Sequence, residues 1–510
     1  MTLSSKSSNS ERRPSSVASV PRPAIEATCL LLAGLAVTGL TANGQTPAAF
    51  VRYAAIGVGL SLLASMAIEF KNTWNNLLRA DLVALVALYF LLFFEFLFPQ
   101  RQLNELVTFQ EEIEKGVSVC IWAFAAMAIG RHLLPGAAIR RWRVAETSAR
   151  PGTMVRLFWL CFAFGFLPMA LAVNFNPVEL VSQFFEPRFT QPWGREQFGD
   201  WHAMLYETGC VLFLVPPLAG VMLGRRKHYT RTQLVWVFLG LLFTLIYGFS
   251  SGTRNLISSY LITFVASFFY ASGAALTREV IVSCALAFAV FLASAFYGID
   301  FRNVGLKNYL RGARANPDEE AKSLFVDYNI YALSRLTTIF PHDKDYIGSA
   351  VPLWILARPV PRVLWPGKPD GTQVSVESAL GEEGLTIACT FIGECYMAAG
   401  LFGVVLAGLA IGLLARWWTC KAYSLASDFG ILIYTSGFFS VVISMRSIYM
   451  LFVAILPTLA ICLVGLWLVR HPQARVLPGR AHALRAGIRT RRSSAQKSKI
   501  GPSLVRDEPG

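Results

Sequence analysis

VIVSCALAFAVFLASAFYG, residues 280–298, runs for nineteen positions without a charge. A helix rises 1.5 Å per residue, so such a block covers about 30 Å, the hydrocarbon thickness of a bilayer. Arg278 stands just before it and Asp300 just after, where a spanning helix returns to water. The same pattern recurs in both directions along the chain. Working outward, the blocks fall at 26–43, 51–69, 81–99, 116–134, 153–173, 203–223, 233–250, 256–275, 279–298, 386–415, 428–445 and 448–469. Residues 386–397 also read as the end of a re-entrant segment, with Gly400 and Gly403 opening the helix proper. The expected fold class is all-α: a polytopic integral membrane protein of about twelve transmembrane helices.

Composition agrees. The chain has 510 residues, 54% hydrophobic and only 15% charged, with a mean hydropathy of +0.49. A soluble chain needs roughly 25% charged residues to cover its surface. The net charge of +15 would suit a nucleic-acid partner, but its placement argues against one. Lys and Arg gather in the two tails and in alternate short loops. One side collects 28 of them and the other 7, leaving aside the 10 in the long segment 299–385. Long loops cross regardless of charge, so the short-loop contrast decides orientation and places both termini in the cytoplasm. The expected divisions are a disordered tail at 1–24, nine spans within 25–298, a large outward loop at 299–385, three spans within 386–469, and a basic disordered tail at 470–510. The nine cysteines are scattered singly, without a CxxC or Cys/His pairing, so neither a metal nor a disulfide framework is expected. Gly408 and Gly412 form a GxxxG, a signal for close helix packing.

The polar residues that interrupt this body are few. Ser251-Gly252-Thr253-Arg254-Asn255 is a short break between two apolar blocks. A guanidinium at such a junction is costly unless an anion or the lipid–water boundary compensates it. Its planar fork also suits phosphate oxygens better than an ammonium does. In the long loop, Arg358 and Arg362 precede Trp365-Pro366-Gly367-Lys368-Pro369. Leu324, Phe325, Ile330, Leu333, Leu336 and Ile339 partly fit one helical face. The apolar run Val351–Ala357 follows. A helix lying along the membrane surface, with Trp354 and Trp365 at headgroup depth, would hold these cations near a lipid phosphate. The same side chains also fit simple snorkelling to headgroups. Arg446 lies in a second outward turn.

Among acidic groups, Glu394 admits three readings: general base, orienting partner of an arginine, or structural ion pair. His342, Asp343 and Asp345 in the loop, and Asp300 beside it, are alternative bases. His202 and Glu207 fall in the sixth block, and Glu69 and Glu95 near helix ends.

At these residues the chain resembles the bacterial oligosaccharide repeat-unit polymerases, the Wzy-type O-antigen polymerase family. Ser251-Gly-Thr-Arg254-Asn-Leu-Ile resembles that family's Gly-x-Arg turn opening a helix. Pro361-Arg362-Val-Leu-Trp-Pro366-Gly-Lys368-Pro369 is similar to its Pro-Arg followed by Lys-Pro. Ile392-Gly-Glu394-Cys-Tyr396-Met-Ala-Ala-Gly400-Leu-Phe-Gly403 resembles its Gly-Glu-x-Tyr and glycine-rich helix start. The likeness covers roughly residues 230–450 and departs at Ala398-Ala399, where family members often carry Asn-Phe.

The resemblance implies a GT-C-like glycosyltransferase on the periplasmic face of the inner membrane, without metal or cofactor. Donor and acceptor would both be glycans on undecaprenyl diphosphate, with a separate chain-length regulator as a further partner. Under it Arg254, Arg358, Arg362, Arg446 and Lys368 hold the diphosphate, while Glu394, His342 and Asp343 are candidates for the catalytic base. Two other readings share the same body. One is an O-antigen ligase, which uses the same donor; the other is a lipid-linked sugar flippase or transporter. The internal symmetry that many transporters carry is not evident in the sequence.

Overall fold

The computed structural model describes residues 23–470, except 72–77, 99, 108, 135–143, 145–146, 148, 194–207, 314–328, 359, 361–363, 366, 369–375, 382–387 and 422–426. Arg362, His202, Glu207 and both predicted tails up to residue 22 and beyond 470 lie outside the described residues. The described chain folds as helices: α1 (Ile25–Thr41), α2 (Pro47–Phe70), α3 (Ala80–Leu92), α4 (Gln110–Gly130), α5 (Pro151–Ala172), α6 (Val215–Gly224) and α7 (Arg231–Ser250). There follow α8 (Arg254–Ala271), α9 (Arg278–Asn303), α10 (Asn329–Ile339), α11 (Ala350–Ala357), α12 (Thr390–Lys421), α13 (Asp428–Arg446) and α14 (Leu456–Arg470). Shorter helical turns join them.

Among the described residues, eight helices are long and apolar enough to cross a membrane, as in a polytopic membrane protein. Three shorter apolar helices, at 25–41, 80–92 and 209–224, stand beside them. α8 has spanning length, but Ser258, Ser259, Thr263 and Ser267 lower its hydropathy. Those hydroxyls are satisfied within the helix: Ser259 Oγ donates to Asn255 O at 2.6 Å and Thr263 Oγ1 to Ser259 O at 2.7 Å. Local chemistry sets several helix starts. Thr230 and Gln233 make a reciprocal capping box on α7, and Ser427 Oγ accepts the Gly430 N–H to open α13.

Two large apolar cores and two smaller ones form among the described residues. One large core joins α1–α4 with α10 and α12; the other joins α5, α6 and α7 with α13 and α14. α13 runs between them, with every residue from Phe429 to Ser440 buried. Small residues let the helices approach closely. A Cβ added at Gly412 would stand 2.4 Å from Met127 O, and one at Gly408 would stand 2.8 Å from the Ala126 Cβ. The GxxxG of α12 is therefore its seam with α4. Gly220 and Gly224 of α6 meet Ser267 and Ala271 of α8 in the same way.

α12 is not continuous. Ala399 and Gly400 leave helical geometry, and Gly400 has φ +59°. The carbonyls freed by the break are taken up by the preceding loop: Ile347 N–H donates to Met397 O and Gly348 N–H to Ala398 O, both at 2.9 Å. The long loop is only partly a surface structure. α10, within it, is embedded against α4 and α12, with Ile330, Leu333 and Leu336 fully buried. α11 buries Val351 and Ile355 and exposes Leu353 and Leu356.

Candidate functional site

A cavity of about 300 Å³ opens between α3, α8 and α9. Along most of its length the wall is apolar, formed by residues such as Val83, Phe90, Val265, Phe288 and Phe291. Its polar groups collect at one end. Arg254, Asn255 and Ser258 come from the first turns of α8, Glu95 from the turn after α3, and Asn329 from the start of α10. From Arg254 to Val265 the cavity follows α8 for roughly 17 Å, about half a hydrocarbon core. The shape is a greasy channel with a cationic, hydrogen-bonding mouth.

The mouth is built by a tight backbone turn. Gly252 has φ +62°, and its backbone lies against α9, where an added Cβ would come within 2.4 Å of Gly298 O. Only glycine combines that φ with that approach. Arg188 Nη1 donates to Thr253 Oγ1 at 2.8 Å, bringing a second guanidinium beside the turn. Asn255 bridges to a third: with its amide oxygen toward Arg446, it accepts Nε at 2.9 Å and Nη1 at 3.2 Å. Across the mouth, Asn329 Nδ2 donates to Leu91 O at 2.8 Å near the end of α3, and its buried Oδ1 has no donor.

Glu394 lies behind this wall, on the first segment of α12. Ser447 Oγ donates to one carboxylate oxygen at 2.5 Å, and the Ile448 N–H donates to the other at 2.6 Å. Glu394 thus grips the turn that follows Arg446. Arg358, at the end of α11, is close enough to act on Glu394 electrostatically. Arg254, Asn255, Arg446, Ser447, Glu394 and Arg358 therefore form one chain of neighbours, in which Arg254 and Asn255 line the cavity. With both oxygens engaged, Glu394 is arranged as an orienting group.

Lys368 joins this group only through the backbone of Arg358, and His342 and Asp343 stand apart. Lys368 Nζ donates to Arg358 O at 2.7 Å and Val360 O at 2.9 Å, and lies 5.5 Å from the centre of the Trp354 ring. Its ammonium closes the end of α11. His342 and Asp343 occupy an exposed turn after α10, away from the cavity wall. Glu95 and Asn329 were not singled out as site residues by their sequence. Glu95 read as a helix-end carboxylate, and nothing local indicates that both line one cavity. No group of three or more His, Cys, Asp or Glu able to hold a metal occurs among the described residues.

No protein family matches the chain, and neither curated proteins nor solved structures give a match.

Proposed function

We propose that this protein is a membrane glycosyltransferase of GT-C-like, twelve-span architecture that polymerises lipid-diphosphate-linked oligosaccharide repeat units on the outer face of the cytoplasmic membrane. The observation that carries the reading is the cavity: an apolar channel half a membrane deep that ends at Arg254, Asn255, Ser258, Glu95 and Asn329. Its apolar length suits the first few isoprenoid units of a polyprenyl carrier, and the polar end suits the diphosphate those units carry. The sequence resemblance to repeat-unit polymerases rests on the same Gly252-Thr253-Arg254 turn.

In the reaction, the acceptor hydroxyl oxygen bonds to the donor's anomeric carbon as the anomeric C–O bond to the lipid diphosphate breaks. Charge builds on the departing phosphate oxygens, and preplaced guanidinium groups stabilise it. Arg254 lines the cavity directly, and Arg446 stands behind it, hydrogen-bonded to Asn255. The acceptor proton passes to a carboxylate. Glu95 is the best placed for this, because it lies in the cavity wall; Glu394 holds the Arg446–Ile448 turn in register. Arg358 steadies Glu394.

Glycolipid analysis of a deletion strain tests the assignment. Loss of a polymerase leaves core carrying a single repeat unit. Bare core with accumulated lipid-linked polymer would instead identify a ligase, and undecorated core with repeat units trapped on the cytoplasmic side would identify a transporter.

A further inference from the structure

At the opposite end of α3 and α12 from the cavity mouth, five helices meet around buried charge. Arg79 Nη1 pairs with Glu69 Oε2 at 2.6 Å, and its Nη2 with Asp81 Oδ2 at 2.5 Å. Arg131 Nη1 lies 3.4 Å from Glu69 Oε1 and 4.0 Å from Asp81 Oδ2. Thr419 Oγ1 donates to Asp81 Oδ1 at 2.9 Å, and Arg131 Nη2 donates to Thr28 Oγ1 at 2.5 Å. Arg416 completes the group, one turn beyond Gly412, whose added Cβ would stand 3.0 Å from Arg131 N. All five charged side chains are buried, Arg131 and Arg416 to 1% and 2% exposure.

The charges do not balance. Among the described residues of this cluster, three guanidinium groups face two carboxylates, leaving one positive charge in surplus. Three N–H-bearing atoms there, Arg131 Nε and Nη1 and Arg416 Nη1, have no hydrogen-bond acceptor, Arg131 Nη1 lying only in ion-pair range of Glu69 and Asp81. An uncompensated buried charge and unmade hydrogen bonds are both costly, and a single anion relieves both.

We infer that a small monovalent anion of the halide class binds between Arg131 and Arg416 and locks α1–α4 to the end of α12. One negative charge neutralises the cluster, and the near-complete burial suits one small ion better than a lipid headgroup. The site is separate from the proposed sugar chemistry and stands whether or not that reading holds.

Thermal unfolding of the purified full-length protein tests it, in chloride, bromide or phosphate against gluconate at constant ionic strength. A ligand that binds the folded state raises the midpoint with the logarithm of its concentration. The expected rise is on the order of 2 °C per tenfold increase in chloride or bromide. Arg416→Met removes the surplus charge, so it abolishes that dependence and unfolds in gluconate no earlier than the native chain. A midpoint indifferent to halide, a response to phosphate alone, or an undiminished halide response in Arg416→Met overturns the site. Anomalous scattering from bromide in crystals of the native protein gives a reading that no variant can confound: a peak between Arg131 and Arg416 supports it, and an empty position overturns it.

Discussion

Arg254 lines the cavity from the first turn of α8, in a short polar break between apolar blocks where a guanidinium needs a physical reason to be. Its neighbours there come from distant parts of the chain. Asn255 connects it to Arg446 across 191 positions of sequence, and Glu95 and Asn329 join it only because α3 and α10 are folded against α8. Asn255→Leu should keep Arg254 in place while releasing Arg446, lowering turnover by roughly tenfold to a hundredfold with little change in expression; a quantitative polymer assay checks it. The two carboxylates should separate by variant. Glu95→Gln should suppress turnover with the fold intact, whereas Glu394→Ala should lower stability by about 2–3 kcal/mol, because two donors lose a charged acceptor. Chemical unfolding run beside activity measurements distinguishes the two. An Asp343→Asn variant with full activity is expected as well, since Asp343 sits on an exposed turn remote from the cavity.

Hydropathy located the eight described helices that are long and apolar enough to cross a membrane, because a bilayer-spanning segment must satisfy its backbone internally. The break in α12 was also visible in advance as Gly400, read as the point where the helix proper begins. The structure gives the reason: a positive φ, with Tyr346 Oη 2.5 Å from where a Cβ would be. Gly400→Ala should therefore cost at least about 1–2 kcal/mol. The α12–α4 seam gives a companion test: Gly412→Leu should cost about 1–3 kcal/mol by forcing two backbones apart. Thermal unfolding in a fixed detergent measures both. The loop between α9 and α12 was less legible. The apolar spacing of residues 324–339 partly fits one helical face, but Asn329–Ile339 buries residues on nearly every side between α4 and α12. Segment composition cannot distinguish an interfacial helix from one wedged into a bundle, because the covering surface comes from elsewhere in the chain.

At the scale of the whole molecule, charge and apolarity are arranged in a way that one function would use. The basic short loops predict cytoplasmic termini, and that orientation turns the mouth at Arg254 outward. Reporter fusions at residues 22, 276 and 470 should all read cytoplasmic, while one near residue 345 should read external. An external reading at 276 would invert the site and remove the proposed substrate from reach. The central claim is that Arg254 grips a lipid-linked diphosphate at the end of an apolar channel. Its most direct test is polymer length and yield from purified protein in liposomes, supplied only with lipid-diphosphate-linked repeat units and no ion gradient. The native chain should build a ladder of products, and Arg254→Lys, which keeps the charge but loses the fork, should reduce product by about 100-fold or more at equal folded yield. A full ladder from Arg254→Lys and Arg254→Ala alike would contradict the account.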